Sequence, residues 1–154
     1  MARGDFAFHH CFRVRWSETD AQGVVFNARY LDYADIAVTE YWRAVKFRDY
    51  ADGAPMEFHV KKATVTWFAP IKPDEMIAVM ARTIATGRTS MTQLVEIHGL
   101  TEDGSDDLRA TVDLVSVHVD LDVHRPIPLP DWVKGVFTAF DSQATNMPLA
   151  QAEA

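Results

Sequence analysis

The sequence predicts an α+β domain in which a curved antiparallel sheet of about five strands wraps around one long helix. Three observations carry that prediction. One stretch of helical periodicity, at about residues 27–46, stands among segments that alternate as strands do. The gaps between those strand-like segments are too short for crossover helices, so neighbouring strands run antiparallel. A single helix can hide its apolar stripe only against the sheet, and the sheet can cover it only by curving.

The elements follow in chain order. Between residues 6 and 16, Phe8, Phe12, Val14 and Trp16 share one parity and His9, Cys11, Arg13 and Arg15 the other, as on a half-buried strand. Residues 17–23 form a loop of turn formers in which Gly23 opens a backbone conformation closed to other residues. In the helix Leu31, Ala34, Val38, Tyr41, Trp42 and Val45 recur at threes and fours, with Arg29, Asp32, Glu40, Arg43 and Lys46 in the other sectors. Further strands are expected at about residues 56–69, 75–85, 90–100 and 108–121. Pro70 and Pro73, the Thr86-Gly87-Arg88 junction and an acidic loop at residues 101–107 separate them. The proline-rich run at residues 126–130 ends the sheet, and residues 131–140 make a short closing helix. Residues 1–140 thus form a single domain, with 141–154 a loose tail.

Composition narrows the function. Of 154 residues 48% are apolar, enough for one core, and 24% are charged. No apolar run approaches the roughly 20 residues of a membrane span, and the N-terminus lacks the pattern of a secretory signal, so a cytoplasmic protein is expected. A net charge of -7 argues against nucleic acid as a partner. The lone Cys11 forms no internal disulfide and no thiolate cage for zinc. Adjacent His9 and His10 point to opposite faces of a strand, and His59, His98, His118 and His124 are scattered without an i, i+4 helical pair, so no metal is expected. There is no GxSxG elbow and no Walker loop.

The chemistry concentrates in residues 16–30, where Asp20 lies on a glycine-containing loop just before the helix. A helix start has free N–H groups and partial positive charge, suited to an oxygen that becomes negative during acyl transfer. An aspartate beside it can attack a thioester carbonyl or take a proton from attacking water, and aspartate is ordinarily ionised at neutral pH. From spacing alone a turn or capping residue is the commoner role for such an aspartate.

The segment Thr19-Asp20-Ala-Gln-Gly23-Val-Val-Phe-Asn27-Ala-Arg-Tyr30 resembles the signature of the 4-hydroxybenzoyl-CoA thioesterase family, a loop leading into the central helix of the hotdog fold. The strand ending at Pro70 with its acidic turn, the Gly87-Arg88-Thr89-Ser90 hairpin and the last strand running into Pro126–Pro130 resemble that family in the same order, over roughly residues 8–135. The resemblance implies hydrolysis of an aliphatic or aromatic acyl-CoA to free acid and coenzyme A, without cofactor or metal. It makes Asp20 the nucleophile or general base and the Asn27 backbone N–H the donor to the thioester carbonyl. Many relatives carry histidine or tyrosine at position 27, and this sequence departs from them there. It also implies at least a homodimer, with tetramers common, and pockets at the subunit interface.

Arg88 can fork onto a coenzyme A phosphate or be a solvated turn residue, and Thr89 and Ser90 can donate to the same arm or simply form the turn. Gly23 belongs to the substrate loop, Tyr30 can line an acyl pocket or pack the core, and His59 can border that pocket. Two other functions fit the same fold: a non-catalytic acyl-CoA binding or sensing module, and an enoyl-CoA hydratase, which would want a histidine where Asn27 stands.

Overall fold

The structure is a computed structural model and describes residues 2–144. Its regular elements are β1 (Phe8–Arg13), α1 (Arg29–Val45), α2 (Phe47–Ala51), β2 (Glu57–Trp67), β3 (Met76–Thr86), β4 (Ser90–Gly99), β5 (Leu108–Asp120), β6 (Arg125–Pro126) and α3 (Asp131–Asp141). The strands form one antiparallel sheet in the order β1-β3-β4-β5-β2, with the short β6 added to β5. This curled sheet around α1 is the hotdog arrangement.

The buried face of α1 is Tyr30, Tyr33, Ala34, Ala37, Tyr41 and Val45, a stripe of threes and fours that meets Ile77, Val79, Val95, Ile97 and Val112 from the sheet. Of the expected stripe Ala34, Tyr41 and Val45 are buried and Val38 and Trp42 pack at its margin, while Leu31 is 45% exposed, because Tyr30 and Tyr33 fill the core at that end of the helix. Around the C-terminal end of α1, Trp42, Phe47, Phe58 and Phe137 interlock with ring centroids 4.5 to 6.2 Å apart.

The outer face of the sheet carries a second, smaller core of Phe6, Ala78 and Met80. A 3-10 turn at Arg3–Asp5 straps it down: the Arg3 amide donates to Asp106 at 2.7 Å, and Arg82 donates to the Asp5 carbonyl at 2.7 Å. On the same face His98 accepts the Asp107 N–H at Nδ1, which leaves its Nε2–H to face Glu96 at 2.9 Å.

Three expectations change. The first strand spans Phe8–Arg13 and not residues 6–16, because Phe6 covers the outer core and Trp16 begins a 3-10 turn, 71% exposed. The helix starts at Arg29, two residues late, after a turn through Asn27 and Ala28. Asp141 belongs to α3 and is buried, so a tail beginning there is displaced; residues 145–154 of that expected tail lie outside the described residues.

Asp141 is buried because α3 needs an anchor. Its carboxylate accepts the Tyr41 hydroxyl at 2.8 and 3.0 Å and the Thr83 N–H at 3.0 Å, tying α3 to α1 and β3. Burial raises its pKa above the ordinary aspartate value, against the pull of Thr83 and Tyr41. Tyr41→Phe should cost about 1–3 kcal/mol in urea denaturation. The raised Asp141 pKa favours the folded state at low pH, and that advantage is lost as pH rises through the folded value. The stability of Asp141→Asn relative to the parent should therefore improve between pH 4 and pH 7; a constant gap would refute this.

Candidate active site

Asp20 occupies a turn that its own neighbours define. Thr19 and Val25 make an isolated antiparallel bridge, the Asp20 N–H donates to Val24 O at 2.9 Å, and the Gly23 N–H returns to Asp20 O at 3.0 Å. A turn closed in this way ends on a left-handed residue, and Gly23 supplies it at φ 74°. The Gln22 N–H donates to Asp20 Oδ1 at 2.8 Å, which fixes the carboxylate. Oδ2 has no protein donor among the described residues. Asp20 is thus both the turn former that spacing suggests and a carboxylate with one oxygen to spare.

The loop then runs into a helix start that no side chain caps. Ala28 occupies the cap position, and the N–H groups of Asn27 and Ala28 have no acceptor among the described residues. Asn27 itself is exposed, and its carbonyl takes the Tyr30 N–H at 3.4 Å. Two free donors at a helix start are the arrangement that receives an anionic oxygen.

Loop and helix are fastened to the sheet through a second loop, residues 70–75. The Val25 N–H donates to Ile71 O at 2.8 Å, and the Phe26 N–H to Glu18 O at 3.0 Å. Arg109 braces residues 70–75 from β5, donating to Pro70 O at 2.8 Å, to Glu75 at 2.5 and 3.1 Å and to Asp107 at 2.8 and 3.0 Å. Burial opposes ionisation of Glu75, but the hydrogen bonds from Arg109 outweigh it and hold the carboxyl below its usual range. Gly99 gives this hub its room, since any Cβ there would overlap the ends of Asp107 and Arg109. The Tyr33 hydroxyl is buried nearby without a hydrogen-bond partner among the described residues, and burial first and then the Glu18 carboxylate raise its pKa.

Tyr30 is buried beneath this site, edge-on to Trp67 with ring centroids at 6.0 Å, and Tyr33 packs beside it at 6.1 Å. The other expected residues lie elsewhere. Arg88 is exposed on the β3–β4 turn, with no partner for its guanidinium among the described residues; Thr89 and Ser90 are half-buried there. Ser90 and His59 both pair with Val117, whereas Trp67 pairs with Ala110, so the Arg88 group and the Asp20 group occupy opposite ends of the sheet. His59 follows Phe58, which packs against Trp42 on the helix side, and so points to the other face. Within one protomer the structure does not bring these two groups together. Asp20 also lines neither a cleft of about 640 Å³ between β1 and Trp16 nor one of about 560 Å³ at the C-terminal end of α1. Glu18, Ile71 and Arg109, which fix the loop, carry no motif in the sequence.

A sheet curled about one helix, with a pinned carboxylate turn leading into that helix's free start, defines the thioesterase class of hotdog proteins. The model of the Thioesterase-like superfamily matches residues 14–137, and the chain belongs to that superfamily. It is 29% identical over 143 residues to the acyl-CoA thioesterase YbgC of Haemophilus influenzae, covering 86% of this chain and 96% of that protein. Among solved structures, a Thermus thermophilus thioesterase complexed with coenzyme A and zinc superposes with a TM-score of 0.73 at 24% identity, over 94% of this chain and 98% of that one. A 4-hydroxybenzoyl-CoA thioesterase variant complexed with 4-hydroxybenzoyl-CoA gives 0.73 at 15% identity, over 84% and 97%. At those identities the two structures establish the fold alone.

If Arg109 braces the Asp20 loop through Ile71, Arg109→Ala should speed hydrogen exchange at the Val25 amide and cost about 1–3 kcal/mol of stability. Unchanged protection at Val25 would show that the loop stands without it.

Proposed function

We propose that the protein hydrolyses acyl-CoA thioesters to the free acid and coenzyme A, with Asp20 as the reacting carboxylate. The observation that carries this reading is the pairing of a fixed carboxylate, one oxygen unused, with two free N–H groups where α1 begins. The thioester oxygen would accept from Asn27 and Ala28 as it gains charge. Asp20 either attacks the carbonyl carbon, expelling the coenzyme A thiolate and leaving an anhydride that water then hydrolyses, or takes a proton from water that attacks the carbonyl carbon directly; in both routes one water is consumed, the acid is released and a proton ends on the departing sulfur. Carboxylate, backbone and water suffice, so no cofactor or metal enters the reading. The H. influenzae relative, an acyl-CoA thioesterase by name, supports it. A cytoplasmic location belongs to the same reading; among the described residues no helix is long and apolar enough to cross a membrane.

The active unit is at least a homodimer joined along β2. That strand is 11 residues long, pairs among the described residues with β5 alone, and leaves Val60 61% and Trp67 49% exposed. A twofold pairing of two β2 edges is antiparallel, which sets the Trp67 end of one protomer beside the His59 end of its partner. The Asp20 group of one subunit then approaches the Arg88, Thr89 and Ser90 group of the other, where a phosphate contact for Arg88 becomes useful.

Purified protein should release thiol from some member of a panel of aliphatic and aromatic acyl-CoAs, and Asp20→Ala should lower kcat by roughly a hundred-fold or more. Binding without turnover, indifferent to Asp20→Asn, would instead identify a sensing module. Ala28 has φ -68°, which proline adopts, and its N–H has no acceptor among the described residues, so Ala28→Pro should keep the melting temperature while lowering kcat by about a hundred-fold. Light scattering should give a dimer or larger, and Val60→Glu should yield monomers without activity; active monomers would refute the shared site.

A further inference from the structure

We propose that the groove at the C-terminal end of α1 binds the phosphate-bearing nucleotide end of coenzyme A. This rests on the thioesterase reading and deepens it. Lys46 ends α1 in the left-handed conformation, φ 62° and ψ 40°, and α2 starts at the next residue. The reversal gathers Arg43, Lys46 and Arg48 around Val38, Trp42 and Phe47, in a cavity of about 560 Å³ whose lining includes one carboxylate, Asp49. Arg43 is engaged by Glu40. Lys46 and Arg48 are exposed, and their side chains make no hydrogen bond or ion pair among the described residues. In a chain of net charge -7, three cations within six positions form a local exception.

The floor between them is rigid. The Trp42 indole N–H donates to Gln93 at 2.9 Å, and its ring is held 4.5 Å from Phe47 and edge-on to Phe58 at 5.1 Å. A fixed aromatic surface rimmed by unpaired cations suits a planar base that carries phosphates. Lys46 also stands in a left-handed position where glycine is the usual residue.

Position agrees with chemistry. Coenzyme A carries its phosphates at the end of a long arm remote from the thioester, and α1, 17 residues and so about 25 Å long, separates this groove from Asp20 in one protomer. A second cleft shares Trp42, Phe47 and Arg48 and continues past Met56 to Glu57, the first residue of the β2 edge. Antiparallel pairing across that edge turns this end of the partner toward Asp20, so that the arm can cross the interface with its phosphates resting on one subunit and its thioester on the other.

The test compares an acyl-CoA with the same acyl group on pantetheine, which lacks the phosphates and the base. Lys46→Gly removes the cation at a backbone position glycine prefers, and Arg48→Ala removes another from the surface; both should fold as the parent does. Each should raise KM for the acyl-CoA about ten-fold and leave KM for the acyl-pantetheine unchanged. Adenosine 3',5'-bisphosphate should inhibit the parent competitively and the double variant at least ten-fold more weakly. Unchanged KM for the acyl-CoA, or an equal rise for both substrates, overturns the proposal. Should the parent hydrolyse nothing, calorimetry with coenzyme A decides: weaker binding by Lys46→Gly sustains the groove while the thioesterase reading falls, and equal binding ends both.

Discussion

The hydrogen bond from the Val25 amide to the Ile71 carbonyl joins two irregular segments that the sheet ladder does not reach. Residues 14–28 contain one isolated bridge and one 3-10 turn, too little regular structure to hold a carboxylate steady. Positioning for acyl transfer tolerates little error, so stiffness must come from elsewhere. It comes from Arg109, whose five-donor fork is filled by Asp107 and by Pro70 and Glu75, which flank Ile71. The rigidity of β5 thus reaches Asp20 through a guanidinium, a short loop and one amide, while Phe26 donates to Glu18 on the other side of the loop. Gly99 belongs to the same chain of cause although it touches no part of the site, because its missing side chain is the space Arg109 occupies.

Charge follows the same division of labour. Where α1 begins, Asp32, Asp74, Glu75 and Asp107 face Arg29, Arg13 and Arg109, whereas Lys46, Arg48 and Arg88 at the opposite end have no acidic partner among the described residues. A reacting carboxylate repels a polyphosphate, so a single protomer that held both on one patch would work against its own ligand. Separating them by the length of the helix removes that conflict. An antiparallel homodimer of the kind proposed would bring the two contacts to one substrate.

Much of this was legible in the residues. The Asp20 turn reads directly, because Asp at the first position and Gly at the left-handed position are what such a hairpin demands. The strands and α1 follow from alternation and from spacings of three and four. What escaped did so for physical reasons. Ala34, Tyr41 and Val45 fall on the buried face of α1 as their spacing predicts, whereas Leu31, apolar by type, lies outside it because Tyr30 and Tyr33 carry the larger buried rings. Trp16 is apolar by type and exposed in fact, and Asp141 is charged by type and buried in fact; both are decided by partners distant in sequence. The helix start slipped because Asn27 is a good cap residue, and here it caps nothing. The order of strands, and with it the separation of Arg88 from Asp20, is a property of topology that no local pattern encodes.

The two edges of the sheet are unlike, and the difference bears on assembly. β1 is six residues long, half-buried for most of its length, and packed through Cys11 against the outer core that the N-terminal strap covers. β2 is nearly twice as long and mostly exposed, yet it carries Lys61 and Lys62 beside a register shift between Val60 and Lys62. Lysines and a bulge guard an edge against indiscriminate pairing without abolishing its unpaired N–H and C=O groups. A twofold copy is the partner that meets such an edge with the same bulge in the same place, and its own far edge is the short, shielded β1. A dimer paired through β2 would therefore close after two subunits and leave no comparable edge to propagate.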